Sequence, residues 1–176
     1  MKEIYDKLSA EIKNKLKSCE LLILDFDGTL TNNKVYVSQD GKESIRADRS
    51  DGLGLEFLKK YTNTKVLILS KETNKVTAAR AKKLNVPCTH GVNDKLSNFK
   101  EEIKRHNAES KQVCFIGNDL NDIECIKLAG VGVAVADSYN QILKVANYIT
   151  TKNGGDGAVR EICELIMYAK GVHPYP

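Results

Sequence analysis

The stretch "LILDFDGTLT", residues 22–31, decides the fold. Four apolar residues, Leu21 to Leu24, run straight into two acids, Asp25 and Asp27, and then into Gly28. The apolar run reads as a buried strand, and Gly28 lets the chain turn sharply at its exit. Carboxylates at the end of a buried strand cost stability unless something there neutralises them. Because they are two positions apart, both acids can face the same crevice.

Outward from this strand, apolar runs and helical patterns alternate. Residues 65–70 (KVLILS), 112–117 (QVCFIG) and 130–136 (GVGVAVA) read as further buried strands, and 147–150 (NYIT) as a short one. Helical patterns cover 52–60, 73–84, 94–106, 121–129, 138–146 and 157–170. Ile4, Leu8, Ile12 and Leu16 predict one amphipathic opening helix. Residues 34–47, on either side of Asp40-Gly41, carry a β-hairpin signal. The expected fold is α/β: a Rossmann-like, doubly wound parallel sheet with helices on both faces and a short hairpin flap. A single domain over residues 1–176 is expected.

Composition narrows the function. The chain is 41% hydrophobic and 28% charged, with a net charge of +4. That mild excess is no nucleic-acid footprint. No apolar run is long enough to cross a membrane, and the N-terminus lacks a signal-peptide core. The five cysteines (Cys19, Cys88, Cys114, Cys125, Cys163) form no C-x-x-C pair and read as reduced thiols of a cytoplasmic protein. His90, His106 and His173 are too dispersed for a metal cluster, although His90 lies near the expected active edge.

In such sheets chemistry gathers beyond the carboxyl ends of the strands. Asp25 and Asp27 follow the first strand, Ser70 the second, and Asn118, Asp119 and Asp122 the third, while Lys95 opens a helix. Acids from separate strands form an oxygen-rich pocket suited to Mg²⁺. Ser70 and Lys95 suit phosphate oxygens. An Asp beside a metal and a phosphate can act as nucleophile, and a second can act as acid and then base.

D-x-D-G-T, a strand ending in Ser, a Lys and G-N-D-x-x-D, in that order, resemble the four motifs of the haloacid dehalogenase superfamily of phosphatases. The resemblance implies Asp25 as nucleophile, Asp27 as general acid/base and Lys95 as a third catalytic group. It implies Ser70, Lys95, Gly28 and Thr29 around the phosphoryl group, and Asp25, Asp27, Asn118, Asp119 and Asp122 around Mg²⁺. The short stretch between Asp25 and Ser70 leaves no room for a helical cap domain. This resembles the capless branch acting on octulosonate 8-phosphate and nononate 9-phosphate, which also includes the C-terminal domain of animal CMP-sialic acid synthetases. In that branch hairpins of four subunits associate, which implies a homotetramer.

Glu72 after Ser70, with Arg80 and Lys83 on the next helix, resembles the nine-carbon acid phosphatases. Arg80 or Lys83 could pair with a substrate carboxylate, and Glu72 could accept from hydroxyls; the same helix also reads as a plain solvated face. Arg160, in a Gly-rich turn opening a helix, could bind an anion or form a structural ion pair. Asn118 departs from the usual G-D-D-x-x-D. It brings an oxygen without charge, as do the synthetase domains. Two expectations follow: a Mg²⁺-dependent phosphatase of a 2-keto-3-deoxy sugar acid phosphate, or a weakly active or inactive oligomerisation module. The tail 171–176 (GVHPYP) is a segment that in this branch can reach a neighbour's site.

Overall fold

The computed structural model describes residues 1–172; His173 and the rest of the tail lie outside them. The helices are α1 (Lys2–Lys7), α2 (Ala10–Lys17), α3 (Arg49–Tyr61), α4 (Lys75–Leu84), α5 (Lys95–Arg105), α6 (Ile123–Leu128), α7 (Asn140–Leu143) and α8 (Ala158–Ala169). The strands are β1 (Leu21–Leu24), β2 (Thr31–Val37), β3 (Glu43–Ala47), β4 (Lys65–Leu69), β5 (Cys88–Thr89), β6 (Val113–Gly117), β7 (Val131–Ala134) and β8 (Tyr148–Ile149).

Six strands form one sheet in the order β5-β4-β1-β6-β7-β8, all pairs parallel. Strand β1 is central because all four of its residues are apolar and fully buried. Alternation along it serves two cores. Leu22 and Leu24 pack with Leu16, Leu55 and Ile162 on one face. Leu21 and Ile23 pack with Phe99, Ile103 and Ile126 on the other. Each fully buried side chain of this kind contributes about 1.5–3 kcal/mol relative to an exposed one. The register sets Leu24 beside both Ile68 and Ile116, so the exits of β1, β4 and β6 lie side by side.

Three expectations need correction. The opening helix is two helices. Ser9 is extended, and its hydroxyl accepts from the Ile12 N–H at 3.2 Å, starting α2 afresh. Strand β5, unread in the sequence because it is two residues long, closes one edge of the sheet. The hairpin begins at Thr31 rather than residue 34, with a register shift between Thr31 and Val35. Asn33 absorbs that shift with a left-handed φ of 59°, a conformation that asparagine tolerates.

Asp51, in the first turn of α3, is wholly buried. Its Oδ1 accepts from the Arg160 N–H at 2.8 Å and so caps the start of α8, where Gly157 has no side chain to do so. Its Oδ2 is buried without a partner. Burial pushes the Asp51 carboxyl from 3.8 up to about 6, against the pull of the N–H groups of Arg160 and Gly157. The folded chain therefore holds this proton at higher pH than the unfolded chain. The stability it contributes is whole below about 3.8 and is lost as pH rises through about 6. Asp51→Asn keeps the acceptor and stays neutral. Relative to wild type it is expected to gain on the order of 2 kcal/mol between pH 4 and pH 7 in denaturant titrations. Parallel pH profiles for the two proteins would refute this account.

Candidate functional site

Three neighbouring strand exits and the start of one helix build the site. After β1 the chain wraps into a turn in which the N–H groups of Leu30 and Thr31 donate to the Phe26 carbonyl, at 2.9 and 3.1 Å. Phe26 is buried in the core, so its neighbours Asp25 and Asp27 point the other way, into a cleft. The cleft is about 340 Å³ and is also lined by Ser70 and Glu72 after β4 and by Asn118 and Asp119 after β6.

Lys95 stands at the floor. Its ammonium donates to Asp25 Oδ1 at 2.5 Å and to Asp122 Oδ1 at 2.6 Å, and all three side chains are nearly or wholly excluded from solvent. Burial alone would pull the Lys95 ammonium down; Asp25 and Asp122 outweigh it and hold the lysine charged. Burial pushes the Asp25 carboxyl up to about 7; Lys95 draws it back and Asp122 adds to the rise. One ammonium thus faces two carboxylates in a dry pocket, and a negative charge is left over. At the rim, burial pushes Asp27 up to about 6, with Glu72 reinforcing and Lys95 opposing.

Glycines allow this closeness. Gly28 has φ 80°, and a Cβ there would lie 2.0 Å from Asn118 Nδ2. A Cβ at Gly117 would lie 2.4 Å from Asp122 Oδ2. These are positions where no side chain fits.

The cleft is lined by Asp25, Asp27, Ser70, Glu72, Asn118 and Asp119 of the residues read from sequence, with Lys95 paired to Asp25 and Gly28 against Asn118, and four corrections follow. Asp122 does not offer a free oxygen to a metal: Oδ1 meets Lys95, and Oδ2 accepts from the N–H groups of Asn118 and Asp119 at 2.9 and 3.3 Å. Thr29 is wholly buried and does not line the cleft. Its carbonyl accepts from Gly155 N–H at 2.9 Å, so it braces the turn from behind. Arg80 and Lys83 line a separate groove of about 740 Å³ between α3 and α4, and Arg80 donates to the Asp48 carbonyl at 2.9 Å. Arg160 pairs with Glu164, donates to the Ser50 carbonyl at 3.4 Å and lies over the Phe57 ring, a structural arrangement away from the cleft.

Asp119 lines the cleft while its Oδ1 accepts from Leu120 N–H at 2.6 Å. Ser70 Oγ accepts from Glu72 N–H at 3.1 Å, which holds the hydroxyl at the mouth of β4. His90 is exposed beside the Glu72 carbonyl, and His106 sits by Glu102. Asn33 and Lys71 also line the cleft and were missed. Lys71 had a signal, as the residue following Ser70; Asn33 had none, because its place depends on the bulge in the hairpin.

No trio of His, Cys, Asp or Glu among the described residues forms a metal cluster. An oxygen set remains in Asp25, Asp27 and the Asn118 amide. Asn118 Oδ1 is buried with no hydrogen-bond partner, and an unpartnered buried acceptor beside surplus negative charge fits a hard cation.

A family model described as haloacid dehalogenase-like hydrolase matches residues 55–162. The chain is 32% identical to the Escherichia coli 3-deoxy-D-manno-octulosonate 8-phosphate phosphatase KdsC over 170 residues, covering 95% of this chain and 89% of that one. It is similar to the crystal structure of the Moraxella catarrhalis 3-deoxy-D-manno-octulosonate 8-phosphate phosphatase in complex with magnesium ion, phosphate ion and KDO (TM-score 0.89, 34% identity), covering 93% of this chain and 94% of that one. The Yersinia pestis phosphatase of the same name gives a TM-score of 0.90 at 32% identity, over 93% of this chain and 89% of that one. Matched by the family model over more than half its length, and by such relatives over nearly all of it, the chain belongs to the haloacid dehalogenase-like hydrolase family.

Proposed function

We propose that the chain is a divalent-metal-dependent phosphatase of a 2-keto-3-deoxy sugar acid phosphate, of the octulosonate 8-phosphate or nononate 9-phosphate type. The observation that carries this reading is the meeting of Asp25, Lys95, Ser70 and the unpartnered Asn118 oxygen around one cleft. The relatives, octulosonate 8-phosphate phosphatases by name, support the substrate class.

Asp25 is the nucleophile. Its carboxylate attacks phosphorus, the bond from phosphorus to the sugar oxygen breaks, and an aspartyl-phosphate forms. Asp27, raised to about 6 by burial, holds its proton to higher pH than an ordinary carboxyl, and its protonated form gives that proton to the leaving oxygen. As a base it then takes a proton from water, which attacks phosphorus and frees Asp25. Lys95 keeps Asp25 oriented and offsets charge, and Ser70 binds a phosphoryl oxygen. Asp25 and Asn118, with an Asp27 oxygen that does not carry the proton, would hold Mg²⁺, which would supply charge neutralisation to the phosphoryl oxygens. Glu72 lines the cleft, and in this reading it accepts from substrate hydroxyls.

A homotetramer joined through the hairpins belongs to the same reading. Val35, Tyr36 and Val37 lie consecutively on β2 and are 51%, 59% and 65% exposed, an apolar edge that calls for cover.

The test is phosphate release from octulosonate 8-phosphate and nononate 9-phosphate with Mg²⁺ titrated. Wild type is expected to turn over at least one. Asp25→Asn should lose at least about a thousandfold in kcat. No turnover of either at saturating Mg²⁺, with the oligomer intact, would favour the oligomerisation module. Asn118→Asp is expected to tighten Mg²⁺ about tenfold by calorimetry while lowering the metal-free Tm, because it adds charge to an already anionic pocket. Looser binding would remove Asn118 from the metal site. Tyr36→Asp with Val37→Asp should reduce the mass found by light scattering from tetramer to smaller species; an unchanged tetramer would place the contact elsewhere.

A further inference from the structure

Asn118 sits inside a closed ring of contacts that runs through a distant part of the chain. Its side chain is pressed by Gly28, where a Cβ would come within 2.0 Å of Nδ2. Gly28 is pressed in turn by Gly154, where a Cβ would lie 1.8 Å from the Gly28 carbonyl oxygen. The Gly154 N–H donates to Asp137 Oδ1 at 2.9 Å. Two residues after Asp137, the Tyr139 N–H donates to the Asn118 carbonyl at 3.2 Å, which closes the ring. Gly155 adds a tie, donating to the Thr29 carbonyl at 2.9 Å.

We infer that Gly154 and Asp137 are positioning residues that set where the Asn118 amide oxygen stands against Asp25 across the cleft. The inference rests on the reading of Asn118 as a metal ligand. An amide ligand brings no charge to draw a cation in, so its contribution depends on geometry, and geometry is what the ring supplies. Gly154 has no left-handed φ to demand glycine; the close approach of the Gly28 backbone demands it. Asp137 is exposed, so its carboxylate is not needed for the core. Its place is explained by the Gly154 N–H that it holds.

The test is Mn²⁺ binding to the full-length protein, followed by electron paramagnetic resonance of the free ion, with metal-free Tm measured alongside. Gly154→Ala pushes the Gly28 backbone toward Asn118 and is expected to raise the Mn²⁺ Kd about 10- to 100-fold. Asp137→Ala, a milder surface change, should raise it about fivefold with little change in metal-free Tm. Asp156→Ala, in the same turn, removes only the exposed ion pair with Arg46 and should leave Mn²⁺ affinity unchanged. Wild-type Kd in both Gly154→Ala and Asp137→Ala, or equal loss in Asp156→Ala, overturns the inference. If Gly154→Ala does not fold, Asp137→Ala decides alone: wild-type affinity there overturns it. Wild-type protein that binds no Mn²⁺ would instead sink the metal site itself, and the ring's proposed role with it.

Discussion

The structure depends on one buried ammonium. Lys95 is shared by Asp25 and Asp122, and the three groups come from α5, the exit of β1 and the turn after β6. Buried charges of this kind are costly to separate, about 3–5 kcal/mol when one partner is removed, because the others are left unpaired in a dry site. The electrostatic contact therefore fixes the packing of α5. That helix docks Phe99 and Ile103 into the second core, and only one rotation of the helix satisfies both the apolar face and the lysine. Asp94 caps the helix just before Lys95, accepting from the Ser97 N–H at 3.1 Å, so the position where the helix begins is also set.

The same contact explains why backbone runs so close to backbone around the cleft. For Asp122 to reach Lys95, its carboxylate must lie against Gly117, and for the Asp25 turn to sit beside Asn118, Gly28 must carry no side chain. These glycines act through the space they leave. Asp122, with both oxygens occupied, serves the site as a tie between β6 and α5, and the cation-facing work passes to Asp25, Asp27 and Asn118 in the proposed reading.

The parallel sheet and its candidate active edge were legible in the sequence because they follow from buried apolar runs that each end in a polar residue. Of the residues that meet at that edge, Asp25, Ser70 and Asn118 stand at such ends, and Lys95 opens α5. What the sequence hid depends on contacts between distant segments. Arg80 and Lys83 share a helix with no periodicity that tells the cleft side from the α3 side, and Asp48 draws Arg80 to the latter. Arg160 looked like an anion binder beside glycines, but Glu164, one turn on, engages it. Asp122 matched a metal-ligand spacing, and only the position of Lys95 in space reveals that its oxygens are taken. The break between α1 and α2 was readable from Ser9, an N-cap residue inside a helical period.

In the proposed reading, Asn118 is where stability and metal affinity meet. With a carboxylate at that position, the cleft would gather another negative charge beside Asp25, Asp27 and Asp122, against the single ammonium of Lys95. In such a pocket burial and like charge raise carboxyl pKa values and weaken the metal-free fold. The amide removes that repulsion. Its main-chain N–H still donates to Asp122 and its carbonyl still accepts from Tyr139, so its structural role is independent of the side chain. What the amide leaves behind is a buried oxygen with no donor. With Asn118 as a ligand, as proposed, such a chain folds with less need of its cation and attracts it more weakly, so ligand geometry has to supply part of the affinity that charge supplies elsewhere.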